Sequence, residues 1–323
     1  MSHKKEYDVV VVGGGPAGLT TGIMCEDRKL DVLILEGGTW GGLLATLYPN
    51  KVIPNYPGFP EGIVAIELVR RWLKQAKASK VEMKNERVVE ITPDLVVKTE
   101  ENNEYKGKVV IVAVGIRPRQ LGISGETKFN KKDRGVYYYV THPESFIGKK
   151  VLVVGGGDTA IDAALDLVDL AEEITIIHRK DVFRGVDENV EKMEKSEKIN
   201  ILMNIELEKI DGDKNVQKVV LWNNKKDETF EVDIDAVILS VGMVPNTEIF
   251  EKLGIKSDKR GYIVTDRDQR TNVRGIFAVG DIVEGGFKLI VVGAAHGAVA
   301  AHHAYAFIHK PYWAAEEQWE GSS

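Results

Sequence analysis

Short runs of β-branched and aliphatic residues alternate with stretches of helical spacing along this chain, and the alternation repeats. Residues 7–12 are almost wholly apolar; a glycine cluster, a helical stretch and a second apolar run ending at Leu35 follow. The same order returns between Lys149 and Lys180, with apolar runs at 151–154 and 174–177 on either side of a glycine cluster and a helical pattern. Runs so rich in β-branched residues predict strands, and parallel strands need a crossover, so each copy reads as a β-α-β unit. The most apolar late stretch, 289–308, contains Gly293, His296, Gly297, His302 and His303. Imidazoles are costly inside a bilayer, so this stretch is expected to be a buried strand end and helix, with no membrane span.

The glycines recur where a nucleotide phosphate would need them. Gly13-x-Gly15-x-x-Gly18 supplies a tight turn, close backbone approach to a pyrophosphate and close helix–strand packing. The helix start behind it offers free N–H groups and partial positive charge. Glu36 ends the second strand, where a carboxylate can accept ribose hydroxyls. The later copy keeps Gly155-x-Gly157-x-x-Ala160 but ends its second strand in His178-Arg179-Lys180, with Arg184 close behind. An acid there would repel a 2′-phosphate, whereas these groups attract one, so NADP(H) is expected over NAD(H). Two dinucleotide sites on one chain imply a resident flavin and a nicotinamide that exchanges hydride with it.

Composition narrows the partners. The 323 residues carry 43 Lys+Arg against 49 Asp+Glu, a net charge of −6, with 43% hydrophobic residues. This is a globular composition of about two domains, and its mild acidity argues against a nucleic-acid binder. One cysteine, Cys25, excludes an intrachain disulfide, a zinc–thiolate cluster and a redox dithiol; a small apolar packing role is expected for it. The N-terminal stretch lacks the h-region of a signal peptide, which leads to a cytoplasmic expectation. No metal-ligand pattern is evident.

On these residues the chain resembles the thioredoxin-reductase-like branch of the two-dinucleotide-domain flavoproteins. Besides the glycine loops, 109–115 followed by Pro118 is similar to that family's first domain crossing, 240–247 to its return crossing, and 271–281 to its second flavin motif. The resemblance implies an α/β fold of two Rossmann-like, three-layer ββα dinucleotide-binding domains, one inserted in the other. The FAD-binding domain would be discontinuous, 1–117 plus 245–323, and the NADPH-binding domain would span 118–244. Thioredoxin reductases carry Cys-x-x-Cys before the second glycine loop; here Tyr138-Tyr139-Val140-Thr141 stands at that place.

The branch that lacks the dithiol is the ferredoxin (flavodoxin)–NADP reductases of the thioredoxin-reductase type. They are similar to this chain at Gly41-Gly42-x-Leu44 with Leu47-Tyr48-Pro49, at 157–162 and at 177–184. Three departures stand out: Leu43 replaces a common glutamine, Lys180 replaces a second arginine and loses its bidentate fork, and Gly185 replaces a common alanine. The resemblance assigns the flavin site to Gly13, Gly15, Pro16, Ala17, Gly18, Glu36, Gly37, Gly42, Leu43, Leu44, Tyr48, Asn55, Val88, Ala113, Gly115, Gly280, Asp281 and Ile290. Within it Tyr48 would stack on the isoalloxazine, Asp281 would bind the ribityl chain, and a helix beginning near Gly293 would face the pyrimidine edge. Nicotinamide-nucleotide contacts fall to Gly155, Gly157, Asp158, Thr159, Ala160, His178, Arg179, Lys180, Arg184 and Gly242.

The implied activity is flavin-dependent hydride exchange with NADP(H), coupled to single-electron exchange with ferredoxin or flavodoxin, in a homodimer. Lys4, Lys5, Lys51, Lys131, Lys132, Arg134, Lys149 and Lys150 are candidates for a basic docking rim. The tail offers His309, Tyr312, Trp313 and Trp319 for packing or for shielding the flavin. Two alternatives stay open: an NAD(P)H oxidase or diaphorase-like enzyme, and a flavin-binding paralogue without nicotinamide turnover.

Overall fold

The computed structural model describes residues 5–131, 133–285 and 287–310. They form two compact units, one drawn from Met1–Arg117 and Val244–Ser323, the other from Pro118–Met243.

In the first unit the strand Lys5–Val12 lies between Val32–Leu35 and Glu104–Val112, parallel to both. Glu82–Lys84 extends this sheet beyond Val32–Leu35, and Ile276–Ala278 pairs in parallel with the end of Glu104–Val112. Val96–Thr99 and Val88–Ile91 continue it as an antiparallel meander. The unbroken apolar run has a structural cause. Val9 and Val11 enter one core, with Leu19, Leu68, Trp72 and Ala301 of the helices Pro16–Asp27, Ala65–Ala78 and Ile290–His309. Val10 and Val12 enter a second core with Ile91, Val97 and Phe250 on the opposite face. Each such side chain contributes about 1.5–3 kcal/mol when fully buried, so a slip of one residue would still bury apolar groups; the glycine turn at its end fixes the register.

The second unit repeats the plan. Lys150–Val154 is central in a parallel five-stranded sheet, flanked by Glu173–His178 and Ala236–Leu239. Val151 and Val153 pack with the helix Asp158–Leu167, while Leu152 and Val154 pack under a three-stranded antiparallel sheet, Ile205–Asp211, Lys218–Asn223 and Glu228–Asp233. Both units are therefore sheet–sheet–helix layers of Rossmann type. The late apolar stretch is the 20-residue helix Ile290–His309, and among the described residues no helix is long and apolar enough to cross a membrane.

Candidate functional site

The first glycine loop is shaped by what its hydrogens touch. Gly13 has φ +113°, and a Cβ there would overlap the Ala113 carbonyl. A Cβ on Gly18 would overlap the Gly13 carbonyl, so the helix Pro16–Asp27 approaches its strand as only glycine allows. Gly14 lies against the Trp40 ring. Gly15 differs: nothing lies within 4 Å of a Cβ placed on it, and it is the uncapped N-cap of the helix.

That open backbone faces a cavity of about 630 Å³ lined by both segments of the first unit, a volume ordinary for a small-molecule or cofactor site. Gly13, Gly15, Pro16, Ala17, Glu36, Gly42, Leu43, Leu44, Tyr48, Asn55, Ala113, Gly115, Gly280, Asp281 and Ile290 all line it. Gly18, Gly37 and Val88 do not. Gly18 is packed on Gly13, Gly37 would meet the Arg87 backbone 2.8 Å from a Cβ, and Val88 is in the core. Thr39, Lys51, Ile53, Asn246 and Lys288 line the cavity as well, as does Gly293. Their signal in the sequence is weak because most come from irregular loops. Asn246, inside the return-crossing run, donates its side-chain N–H to the Val114 carbonyl at 2.8 Å and so fixes the turn beside Gly115.

The cavity brings together carboxylates, lysines and open helix starts. Glu36 accepts the N–H groups of Gly14 (2.7 Å) and Gly38 (2.6 Å), which holds its carboxylate at the strand end. A second helix start opens here, at Ile290, with neither a side-chain cap nor an acid in its first turn. Asp281 makes no side-chain hydrogen bond among the described residues; burial pushes its carboxyl up, and the Lys288 ammonium pulls it down. Lys288 donates to the carbonyls of Asp281 (3.0 Å) and Val283 (2.6 Å), tying that turn to the residue before the helix cap.

The second loop follows the same template. A Cβ on Gly155 (φ +152°) would overlap the Ser240 carbonyl, and it would stand 2.9 Å from the Ala160 Cβ. Gly157 is the uncapped N-cap of Asp158–Leu167, with open space over it. Asp158 accepts the Val186 N–H at 2.8 Å, and Thr159 is exposed. Gly242 is exposed at φ +101°, and its carbonyl accepts the Arg119 N–H. Arg179, Lys180 and Arg184 are exposed, and none makes a side-chain hydrogen bond or ion pair among the described residues. His178 departs from the sequence expectation: it is 5% exposed, with its ring under Gly156 and stacked on Phe183. Burial holds its pKa below the ordinary imidazole value, as do the nearby cations of Arg184, Arg179 and Lys180.

Where a dithiol would stand, Tyr138 donates its hydroxyl to Glu126 (2.8 Å) and Tyr139 donates to the Met243 sulfur (2.7 Å). Cys25 is fully buried in the helix after the first loop, and burial pushes its thiol up to about 12. Among the docking candidates, Lys5 pairs with Glu82 and Lys51 lines the cavity beside the Tyr48 ring. Lys4 and Lys132 lie outside the described residues, as do Tyr312, Trp313 and Trp319. No group of three or more His, Cys, Asp or Glu able to hold a metal is present among the described residues.

Comparison with known proteins identifies the family. The family description "Pyridine nucleotide-disulphide oxidoreductase" matches residues 7–297. The ferredoxin–NADP reductase of Sulfurisphaera tokodaii is 37% identical over 316 residues, covering 94% of each chain. That of Metallosphaera sedula is 38% identical over 317 residues, also 94% of each. Thioredoxin reductase from Lactococcus lactis superposes with a TM-score of 0.82 at 36% identity, covering 94% of this chain and 100% of its own. The chain belongs to the pyridine nucleotide-disulphide oxidoreductase family, as a thioredoxin-reductase-like flavoprotein oxidoreductase without the dithiol.

Proposed function

We propose that this protein is an FAD-dependent ferredoxin–NADP reductase, with ferredoxin or flavodoxin as its one-electron partner and a homodimer as its working form. One observation carries the reading: two complete glycine cradles occur in a chain whose single thiol is sealed in a helix core. Electrons that arrive as hydride then have no dithiol to pass through, and a soluble one-electron carrier is the acceptor that fits. The names of the most similar curated relatives support it.

The residues present fit FAD. Gly15 leaves backbone open to a pyrophosphate at a helix start, Glu36 holds carboxylate oxygens where a ribose would lie, and Asp281 carries an unengaged carboxylate for further hydroxyls. Tyr48 offers a ring face to a flat heterocycle, and the helix start at Ile290 offers positive potential to its polar edge. When bound, FAD supplies the conversion between one hydride and two single electrons. On the second unit Gly157 and the start of Asp158–Leu167 would take the NADP pyrophosphate, and Arg179, Lys180 and Arg184 its 2′-phosphate. No side chain is required to act as acid or base; these groups bind, orient and set potential.

The test is anaerobic cytochrome c reduction by the purified holoenzyme, with NADPH or NADH, with and without ferredoxin or flavodoxin. Strong dependence on the carrier with NADPH preferred is the expected result. Equal turnover without any carrier would move the protein to the oxidase or diaphorase class. Failure of both nucleotides to bleach the flavin would make it a paralogue without nicotinamide turnover.

A further inference from the structure

Gly156 is the meeting point of three parts of the second site. The imidazole of His178 lies directly beneath it, so close that a Cβ on the glycine would overlap the ring atoms Cε1 and Nδ1. The Gly156 carbonyl accepts the Arg184 backbone N–H at 2.7 Å, which ties the cationic loop to the glycine loop. Gly157, the next residue, is the open N-cap to which the NADP pyrophosphate is assigned above. The ring itself is clamped, with Phe183 stacked against it at 5.7 Å between centroids and 17° between planes. The first unit uses the same device, since the Trp40 ring fills the space against Gly14 and its indole N–H is donated to Asn85.

We propose that His178 is a positioning residue for NADP, a flat plug that holds the second glycine loop and the Arg179–Arg184 loop in register, and not itself a ligand of the 2′-phosphate. The inference deepens the assignment of this loop to NADP and rests on it. A plug acts on the pyrophosphate cradle common to NADP and NAD, whereas a phosphate ligand acts on NADP alone. The two roles therefore separate by nucleotide.

The experiment is equilibrium titration of the oxidised holoenzyme with NADP+ and with NAD+ at neutral pH. The proteins are the wild type, His178→Ala, His178→Phe and Arg179→Ala. His178→Ala is expected to weaken both nucleotides by about tenfold, the scale of a displaced binding loop, and to leave their ratio unchanged. His178→Phe keeps the flat ring, so it should bind both nucleotides as wild type. Arg179→Ala should weaken NADP+ alone. Loss confined to NADP+ in either His178 variant, or a loss in His178→Phe as large as that in His178→Ala, would overturn the proposal. If His178→Ala does not fold, His178→Phe decides the matter: wild-type affinity for both nucleotides supports the plug, and loss of NADP+ alone overturns it. A wild type that binds neither nucleotide overturns the NADP assignment itself, and this proposal with it.

Discussion

Arg179, Lys180 and Arg184 are three exposed cations held close together in sequence, with no ion pair to an acid among the described residues. A charge-assisted hydrogen bond is worth about 1.5–3 kcal/mol, so replacing Arg179 and Arg184 together by alanine should raise KM for NADPH by about tenfold to a hundredfold and leave KM for NADH unchanged. Steady-state kinetics with both nucleotides checks this. Asp281→Ala should weaken FAD retention, measured as flavin fluorescence released on dilution; Asp281→Asn keeps an acceptor and should be milder. These residues stand out as candidates in the sequence because their chemistry is stated by side-chain type. His178 was not, for a physical reason. Its strand Glu173–His178 is buried at every position after the first, so no alternation reveals which way the last residue turns. A terminal histidine beside two cations then reads as part of the cluster when it is part of the core.

Among the elements, the glycine loops were readable in advance because backbone contact dictates them: Gly13 and Gly155 each lie against the carbonyl just past the end of the neighbouring strand. The third loop position shows how much a single methyl decides. Gly18 cannot be alanine without striking the Gly13 carbonyl, whereas Ala160 is accommodated against Gly155. The helix crossing was less readable. Gly297, in the middle of Ile290–His309, would place a Cβ 2.7 Å from the Ala17 carbonyl and 2.8 Å from the Thr21 hydroxyl. The sequence shows only a glycine in a helix, which is ordinarily a weakness, and nothing local announces that a second helix passes over it. Gly297→Ala should destabilise the protein by about 1–3 kcal/mol, the cost of overpacking, despite its better helix propensity. Thermal denaturation of the holoenzyme reads this out as a lower Tm.

For the molecule as a whole, acid should weaken the fold in two stages. Burial holds the His178 and His296 rings below their ordinary pKa, so the unfolded chain takes up protons first as pH falls below about 6.5. Asp8 and Asp258 follow. Burial pushes both up, but Lys108 and the Asp31 N–H outweigh it at Asp8, as do the N–H groups of Tyr262 and Arg260 at Asp258. Their contribution is present above the ordinary carboxylate range and is lost as pH falls through their depressed folded values. Urea midpoints measured from pH 8 to pH 3 should show the first decline removed in a His178→Phe, His296→Phe double variant, provided that it folds.

The sealed Cys25 has a consequence for where this protein can work. With no other thiol in the chain and this one buried and pushed well above the ordinary thiol range, disulfide stress and thiol poisons have no thiol to reach in the native enzyme. Ellman's reagent should titrate nothing in the folded protein and one thiol per chain in guanidinium. Turnover should survive peroxide doses that silence a dithiol reductase, so a cell under oxidative attack would lose its disulfide-based electron supply before it lost this one.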